Sequence, residues 1–156
     1  MYKTILVPHA GTKAGDEALK HAIFIAKASS AKIILLHVVE EMSRPAMFAL
    51  ASSEREKLLR NIRDTNEVIR KEMETEMEKR KKRCEENNIK AELKVAIGNA
   101  AEIILNMIKE QKIDLIVMSK RLKLKGVKKL LSLGSVSRKV TENVSCPVLL
   151  IDIENL

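Results

Sequence analysis

Thr4-Ile5-Leu6-Val7-Pro8-His9-Ala10-Gly11-Thr12-Lys13-Ala14-Gly15 decides the fold. A short apolar run stops at Pro8, and Gly11 and Gly15 bracket a loop. Ala18, Ala22, Ile25, Ala26 and Ser29 then recur at helical spacing. This is strand, loop, helix. Ile33 to Val39 is a second apolar run rich in branched side chains, hence a second strand. Continuous runs of this kind suit parallel strands covered on both faces.

The pattern continues outward. After a loop with Ser43, Pro45 and Phe48, Ser53 and Glu56 form a capping-box signature. The helix they open carries one apolar stripe, Leu58, Ile62, Ile69, Met73 and Met77, and is expected to run to Cys84–Glu86 and stop at Asn87-Asn88. Glu56–Arg60, Glu67–Lys71, Glu76–Arg80 and Glu78–Lys82 are spaced as ion pairs on its wet face. The basic run from Lys79 to Arg83 is expected to complement the helix dipole. The stripe holds no strict heptad, which argues against a coiled coil.

Ala91 to Ile97 is a third strand, and Gly98-Asn99 opens a helix carrying Ile103, Ile104, Met107 and Ile108. Ile113 to Met118 is a fourth strand. Gly134-Ser135 opens a helix with Val136, Val140 and Val144, and Pro147 to Ile151 is the last strand. Alternating strands and helices predict an α/β domain, an open five-stranded parallel sheet with helices on both faces, Rossmann-like. One domain is expected over residues 1–156, with no internal repeat.

Composition narrows the function classes. The chain has 156 residues, 46% of them hydrophobic and 32% charged, which excludes a disordered tail. No apolar run is long enough to span a bilayer, and the opening residues lack the pattern of a secretory signal, so a cytoplasmic protein with no membrane role is expected. Cys84 and Cys146 lie far apart and are read as two reduced thiols. His9, His21 and His37 lack metal-ligand spacing, so no metal is expected.

The net charge is +8, and its location is informative. Residues 119–139 hold eight Lys or Arg and no acid, while the rest of the chain has 21 of each sign. A protein that coats nucleic acid usually spreads its charge over a wider face. Tyr2, Phe24 and Phe48 are also too few for a base-stacking platform. Both features argue against a nucleic-acid binder working through the basic 119–139 segment, which stays as an alternative.

Ligands of open parallel sheets bind beyond the carboxyl ends of the strands, where the strand order reverses. For the order 3-2-1-4-5, that crevice is flanked by loops 8–15 and 119–134. The second loop carries Lys120, Arg121, Lys123, Lys125, Lys128 and Lys129 and leads to Gly134-Ser135 at a helix start. Free N–H groups there attract anions, so a phosphate-bearing small molecule is the expected ligand, with a solvated basic loop as the equal alternative. His9 is expected to pack against the strand end rather than act as a pH-sensitive contact. Asp16 and Glu17 lie in a first helical turn, where acids favour the dipole. Ser135 has no base beside it in sequence, which argues against a nucleophile.

Six segments, in order, resemble the universal stress protein family: Ile5-Leu6-Val7-Pro8, Ile34 to Val39, Gly98-Asn99-Ala100-Ala101-Glu102-Ile103-Ile104, Asp114 to Met118, Leu133-Gly134-Ser135-Val136, and Cys146-Pro147-Val148-Leu149-Leu150. The resemblance spans essentially the whole chain. It implies a five-stranded parallel sheet, usually a homodimer, and no established catalysis in most members. One branch of the family binds ATP and another does not.

The ATP-binding branch carries Gly, two residues, Gly, nine residues, then Gly followed by Ser or Thr. Here Ser119 stands at the first position and Leu122 at the second, and eleven residues precede Gly134-Ser135. Gly126 lies inside that stretch. The acidic residue usual two positions after Pro8 is Ala10. Gly134, Ser135 and Val136 match the phosphate end of the motif, and Val38 matches the residue lining the adenine pocket. Leu122 is too bulky for a backbone approach to phosphate. Losing the acid at residue 10 removes a charge-assisted hydrogen bond, worth about 1.5–3 kcal/mol.

The expectation is therefore a non-catalytic stress-response or regulatory binding protein, acting through an unknown protein partner or by sensing a ligand. Its degenerate nucleotide or anion site comprises Pro8, Val38, Ser119, Arg121, Gly126, Gly134, Ser135 and Val136, with weak ATP binding at most. The alternative from the resemblance is an ATP-binding member with slow or no hydrolysis. A homodimer is expected through Val148, Leu149, Leu150 and Ile151, because an apolar strand left at a sheet edge would recruit other chains.

Overall fold

The computed structural model describes residues 1–41, 50–120 and 134–152. Five strands, β1 (Thr4–Pro8), β2 (Lys32–Val39), β3 (Ala91–Ile97), β4 (Leu115–Ser119) and β5 (Val148–Ile151), form one sheet in the order β3-β2-β1-β4-β5. Every pairing is parallel, with Ile5 opposite Ile33 and Leu115, and Val117 opposite Leu149. The order reverses between β1 and β4, as expected.

The apolar runs become central strands because both of their faces are covered. Ile5, Leu6 and Val7 have no exposed surface. Ile5 and Val7 join Ile33, Leu35 and Val117 in a core on one face, sealed by Leu19 and Ala22 of helix α1 (Lys13–Ser29) and by Met77 and Cys84 of helix α2 (Ser52–Glu86). Leu6, Ile34, Leu36, Ile116 and Met118 form the opposite core, with Ile104 and Met107 of helix α3 (Ala100–Gln111) and Val140 of helix α4 (Ser135–Asn143). The period of two along each strand divides the molecule into these two layers.

Helix termini follow local chemistry. The Thr12 hydroxyl accepts from the Gly15 N–H at 3.3 Å and caps α1, and the Asn99 side chain accepts from the Glu102 N–H at 3.1 Å and caps α3. The α2 start differs from the Ser53–Glu56 expectation. The helix begins one residue before Ser53, and Glu54 Oε2 accepts from the Ala51 N–H at 3.2 Å. Alanine has no side-chain acceptor, so only the reciprocal arm of a capping box forms.

The wet face of α2 is also wired differently. Arg70 pairs with Glu67 at 2.7 Å and Glu74 at 3.1 Å, and Lys79 and Lys81 take Glu76 and Glu78 one turn back. Of the four expected pairs, only Glu76–Arg80 is present among the described residues, and it is long at 3.8 Å. Neighbours at i,i+3 are as close as those at i,i+4, and flexible side chains settle on either.

With 35 residues, α2 outruns the seven-residue β3 beside it. At 1.5 Å per residue it is about 52 Å long, against about 23 Å for the strand. Met73 packs beside Gly11, just past the carboxyl end of β1, so the helix before Met73 extends beyond the sheet.

Cys84 and Cys146 are free thiols, and burial pushes the Cys84 thiol up to about 11. No described helix is long and apolar enough to cross a membrane.

Candidate functional site

The crevice at the carboxyl ends of β1 and β4 has two walls. Pro8 ends β1 opposite Leu36. Val38 is near the end of β2 opposite Ala96, with its side chain packed on the α3–α4 layer. Ser119 ends β4 opposite Ile151. Gly134 is the N-cap of α4, and Ser135 and Val136 are its first residues. The topology thus brings Pro8, Val38, Ser119, Gly134, Ser135 and Val136 to one edge of the sheet. Arg121, Gly126, Leu122 and the other lysines of the 121–133 stretch lie outside the described residues.

The α4 wall begins at a glycine. Gly134 has φ −61°, an ordinary conformation, and as the N-cap residue it brings no side chain to cap the helix. The Arg138 N–H is used by Gly134 O, while the amides ahead of it lack intrahelical acceptors. Such amides, with the helix dipole behind them, form an anion-attracting surface. Residue 134, without a side chain, adds no obstruction of its own to that surface.

The β1–α1 wall is wound around a histidine. His9 is only 2% exposed. Its Nδ1 accepts from the Gly11 N–H at 3.0 Å, so its proton resides on Nε2, which donates to Asp16 Oδ1 at 3.3 Å. The His9 backbone is fixed as well: its N–H donates to Leu36 O at 2.8 Å, and its O accepts from His37 Nδ1 at 2.7 Å. Gly11 takes φ +76°, in the left-handed region that glycine tolerates. At Gly15 a Cβ would lie 2.8–2.9 Å from three atoms of the His9 ring, so the ring rests directly on the backbone there.

Asp16 connects this wall to α2. Arg80 donates to it twice, Nε to Oδ1 at 2.8 Å and Nη2 to Oδ2 at 3.4 Å, and Arg83 Nη1 lies 3.7 Å away. Burial lowers the His9 pKa to about 4, with the Arg80 charge acting in the same direction and Asp16 opposing it. The contact between His9 and Asp16 is therefore a hydrogen bond from a neutral imidazole to an ionised carboxylate at neutral pH. Burial raises the Asp16 pKa, but the hydrogen bond and charge of Arg80, with His9, outweigh it and hold the carboxyl below its usual range.

His9 packs at the strand end as expected. Asp16 does sit in the first turn of α1, but its partners reach further than the dipole. Arg80 is not merely a cation at a helix end, because it bridges 64 residues of sequence to Asp16. Sequence spacing carried no signal for that link. Ala10 is exposed.

A shallow cleft of about 630 Å³ lies at the opposite, amino end of the strands, lined by Lys3, Lys27, Lys32, Glu86 and Lys90. Its lysines gather near the C-termini of α1 and α2, where cations offset the helix dipoles, and this accounts for them without a ligand. No group of His, Cys, Asp or Glu among the described residues is arranged to hold a metal.

The universal stress protein family model matches residues 1–152. Universal stress protein YxiE of Bacillus subtilis is 35% identical, covering 97% of this chain and 99% of its own. Universal stress protein MJ0531 of Methanocaldococcus jannaschii is 33% identical, covering 97% and 82%. Among solved structures, the MJ0577 protein of Methanocaldococcus jannaschii superposes with a TM-score of 0.80 at 26% identity, covering 100% of this chain and 99% of that one. Two further structures, each 21% identical, share the fold: a universal stress protein in complex with cAMP (TM-score 0.67, covering 96% and 97%) and an Arabidopsis thaliana member with AMP bound (0.62, covering 98% and 93%). The chain belongs to the universal stress protein family.

Proposed function

We propose that this chain is a non-catalytic stress-response or regulatory binding protein, one universal stress protein-like domain over residues 1–156. Its nucleotide or anion site is weakened and is formed by Pro8, Val38, Ser119, Arg121, Gly126, Gly134, Ser135 and Val136. What supports this proposal is the start of α4 at Gly134, a glycine N-cap with no side chain of its own, on the connection from β4 to β5 beside the reversal of strand order. Nucleotides held by two proteins of the same fold, cAMP in one and AMP in the other, support the ligand class. Ala10 in place of an acid supports weak binding. The ligand is a phosphate-bearing small molecule, ATP binds weakly at most, and the protein works in the cytoplasm through a protein partner, with no nucleic-acid or membrane role. Titration calorimetry with AMP and with ATP and Mg²⁺ tests the site. Phosphate release from ATP at a rate above the uncatalysed background would overturn the non-catalytic part.

The proposal includes a homodimer built through β5. Leu149 packs into the α1–α2 core, and Val148 and Leu150 pack into the α3–α4 core. The side chains are thus engaged within the chain, and among the described residues no strand pairs with the outer backbone edge of β5. Ile116 N–H donates to Pro147 O, and Lys120 N–H donates to Ile151 O. Residues 147, 149 and 151 therefore face β4, and Val148 and Leu150 turn their N–H and C=O outward. A second copy of β5 would satisfy them across a two-fold axis. Val148→Pro removes one outward N–H without removing a bond to β4 and is expected to give a folded monomer of about 17.6 kDa by light scattering. A wild-type monomer at micromolar concentration would remove the dimer.

A further inference from the structure

We propose that His9, Asp16 and Arg80 are positioning residues, a relay that holds the β1–α1 loop in shape as one wall of the anion site and couples that wall to α2. The ligand half of this rests on the function proposed above; the relay itself rests on geometry alone.

One imidazole organises the loop from both sides. On the loop side, Nδ1 takes the Gly11 N–H and the ring lies on the Gly15 backbone. On the helix side, Nε2–H is held by Asp16, whose two oxygens are both taken by Arg80. The exposed Ala10 lies between the two fixed residues, so the relay sets the backbone course that the crevice meets. A single ring can accept from Gly11 and donate to Asp16 only as the neutral Nε2–H tautomer. Protonation would put a second N–H opposite the Gly11 N–H and expel one of them.

The surroundings protect that tautomer. The groups facing His9 are Asp16 from α1, Arg80 from α2 and His37 from β2, with Arg83 next to Asp16 and Glu76 next to Arg80. Arg80 matters most. It neutralises the carboxylate that would otherwise draw a proton onto the imidazole. The relay is also at a telling place. It bridges the carboxyl end of β1, where the candidate site residues gather, and the part of α2 that leads beyond the sheet.

The test uses full-length protein and Arg80→Met, which keeps most of the side-chain packing but frees the Asp16 charge. His9→Gln is the second variant. His9 titration and tautomer are followed by ¹⁵N NMR and the Gly11 amide by hydrogen exchange, and AMP and ATP affinities are measured at pH 5.5 and pH 8. In Arg80→Met, His9 is expected to titrate about one pH unit higher or more. Gly11 protection and nucleotide affinity should each fall by about 1.3-fold or more at pH 5.5, the loss of neutral imidazole that a His9 pKa of about 5 or above gives there, and recover toward wild type at pH 8. His9→Gln should bind more weakly than wild type, by the same factor at both pH values. Recovery at high pH is the result that a purely structural role would not give.

Wild-type His9 titration and Gly11 exchange in Arg80→Met would overturn the relay. Altered titration with unchanged nucleotide affinity at both pH values would overturn the positioning role. No affinity of the wild type for AMP or ATP at millimolar concentration would instead reject the proposed ligand, and the positioning role with it. If Arg80→Met does not fold, His9→Gln decides: affinity equal to wild type overturns the proposal.

Discussion

The two segments beside the carboxyl ends of β1 and β4 use their polar groups in opposite ways. The β1–α1 loop has spent its polar groups on itself: the Gly11 N–H on His9, the His9 N–H on Leu36, the Gly15 N–H on Thr12, and the Asp16 carboxylate on Arg80. The start of α4 stands behind a glycine that has no side chain to cap its amides. One wall therefore supplies shape and the other supplies charge. Substitutions in the first should cost stability and binding together. Substitutions in the second should separate them.

The largest expected effect is on the self-satisfied wall. His9 has a folded pKa near 4 and an ordinary value of 6.5. A group whose folded pKa is depressed takes up protons more readily in the unfolded chain, so its stabilising contribution is complete above about pH 6.5 and is lost as pH falls toward 4. The difference corresponds to about 3 kcal/mol. Denaturant unfolding between pH 7 and 4 should show this loss, and His9→Gln should flatten that part of the profile. A wild-type profile flat across the window would mean that the imidazole accepts a proton in place, and the contrast between the walls would break.

Gly15→Ala comes next. The new Cβ would stand within 2.9 Å of three His9 ring atoms, in a ring already held on both nitrogens. Overpacking of this kind costs about 1–3 kcal/mol. Because the displaced ring carries the loop with it, nucleotide affinity should fall along with the melting temperature.

The smallest effect on stability, and the one that sharpens the contrast most, is Gly134→Asp. With φ −61°, residue 134 accepts any side chain without strain, and an aspartate there caps α4. Stability should rise by a few tenths of a kcal/mol, roughly the difference between Gly and Asp at an N-cap. Affinity for AMP should fall at the same time, since the carboxylate occupies the amides and repels phosphate. A drop in stability with unchanged AMP affinity would show that the start of α4 does not face the ligand.

These contrasts also explain what sequence could reveal. The sheet was legible because its central strands are apolar runs and its edge strand β3 alternates apolar residues with Glu92 and Lys94, bounded by Pro8, by Gly98 and by the Asn87-Asn88 stop, where Asn88 takes φ +58°. The start of α4 was legible because Gly-Ser before a Val-spaced helix is a local pattern. The relay was not, because it depends on three elements meeting. Arg80 sits in a basic run that looks like any cationic helix end, and only the packing of α2 against α1 turns it toward Asp16. The α2 cap lies two residues before the expected Ser53 because Ala51 has no side-chain acceptor to announce it. Arg121 and Gly126, the remaining site residues expected from sequence, lie outside the described residues.

The central claim is that this member of the family keeps an anion-attracting helix start but has lost the contacts that make ATP binding tight. Isothermal titration of the wild-type protein with ATP and Mg²⁺ at pH 7.5 tests it most directly. The expected result is heat of binding with a dissociation constant of about 10 μM or weaker, as the missing acid at Ala10 and the bulky Leu122 require. A submicromolar dissociation constant would contradict it.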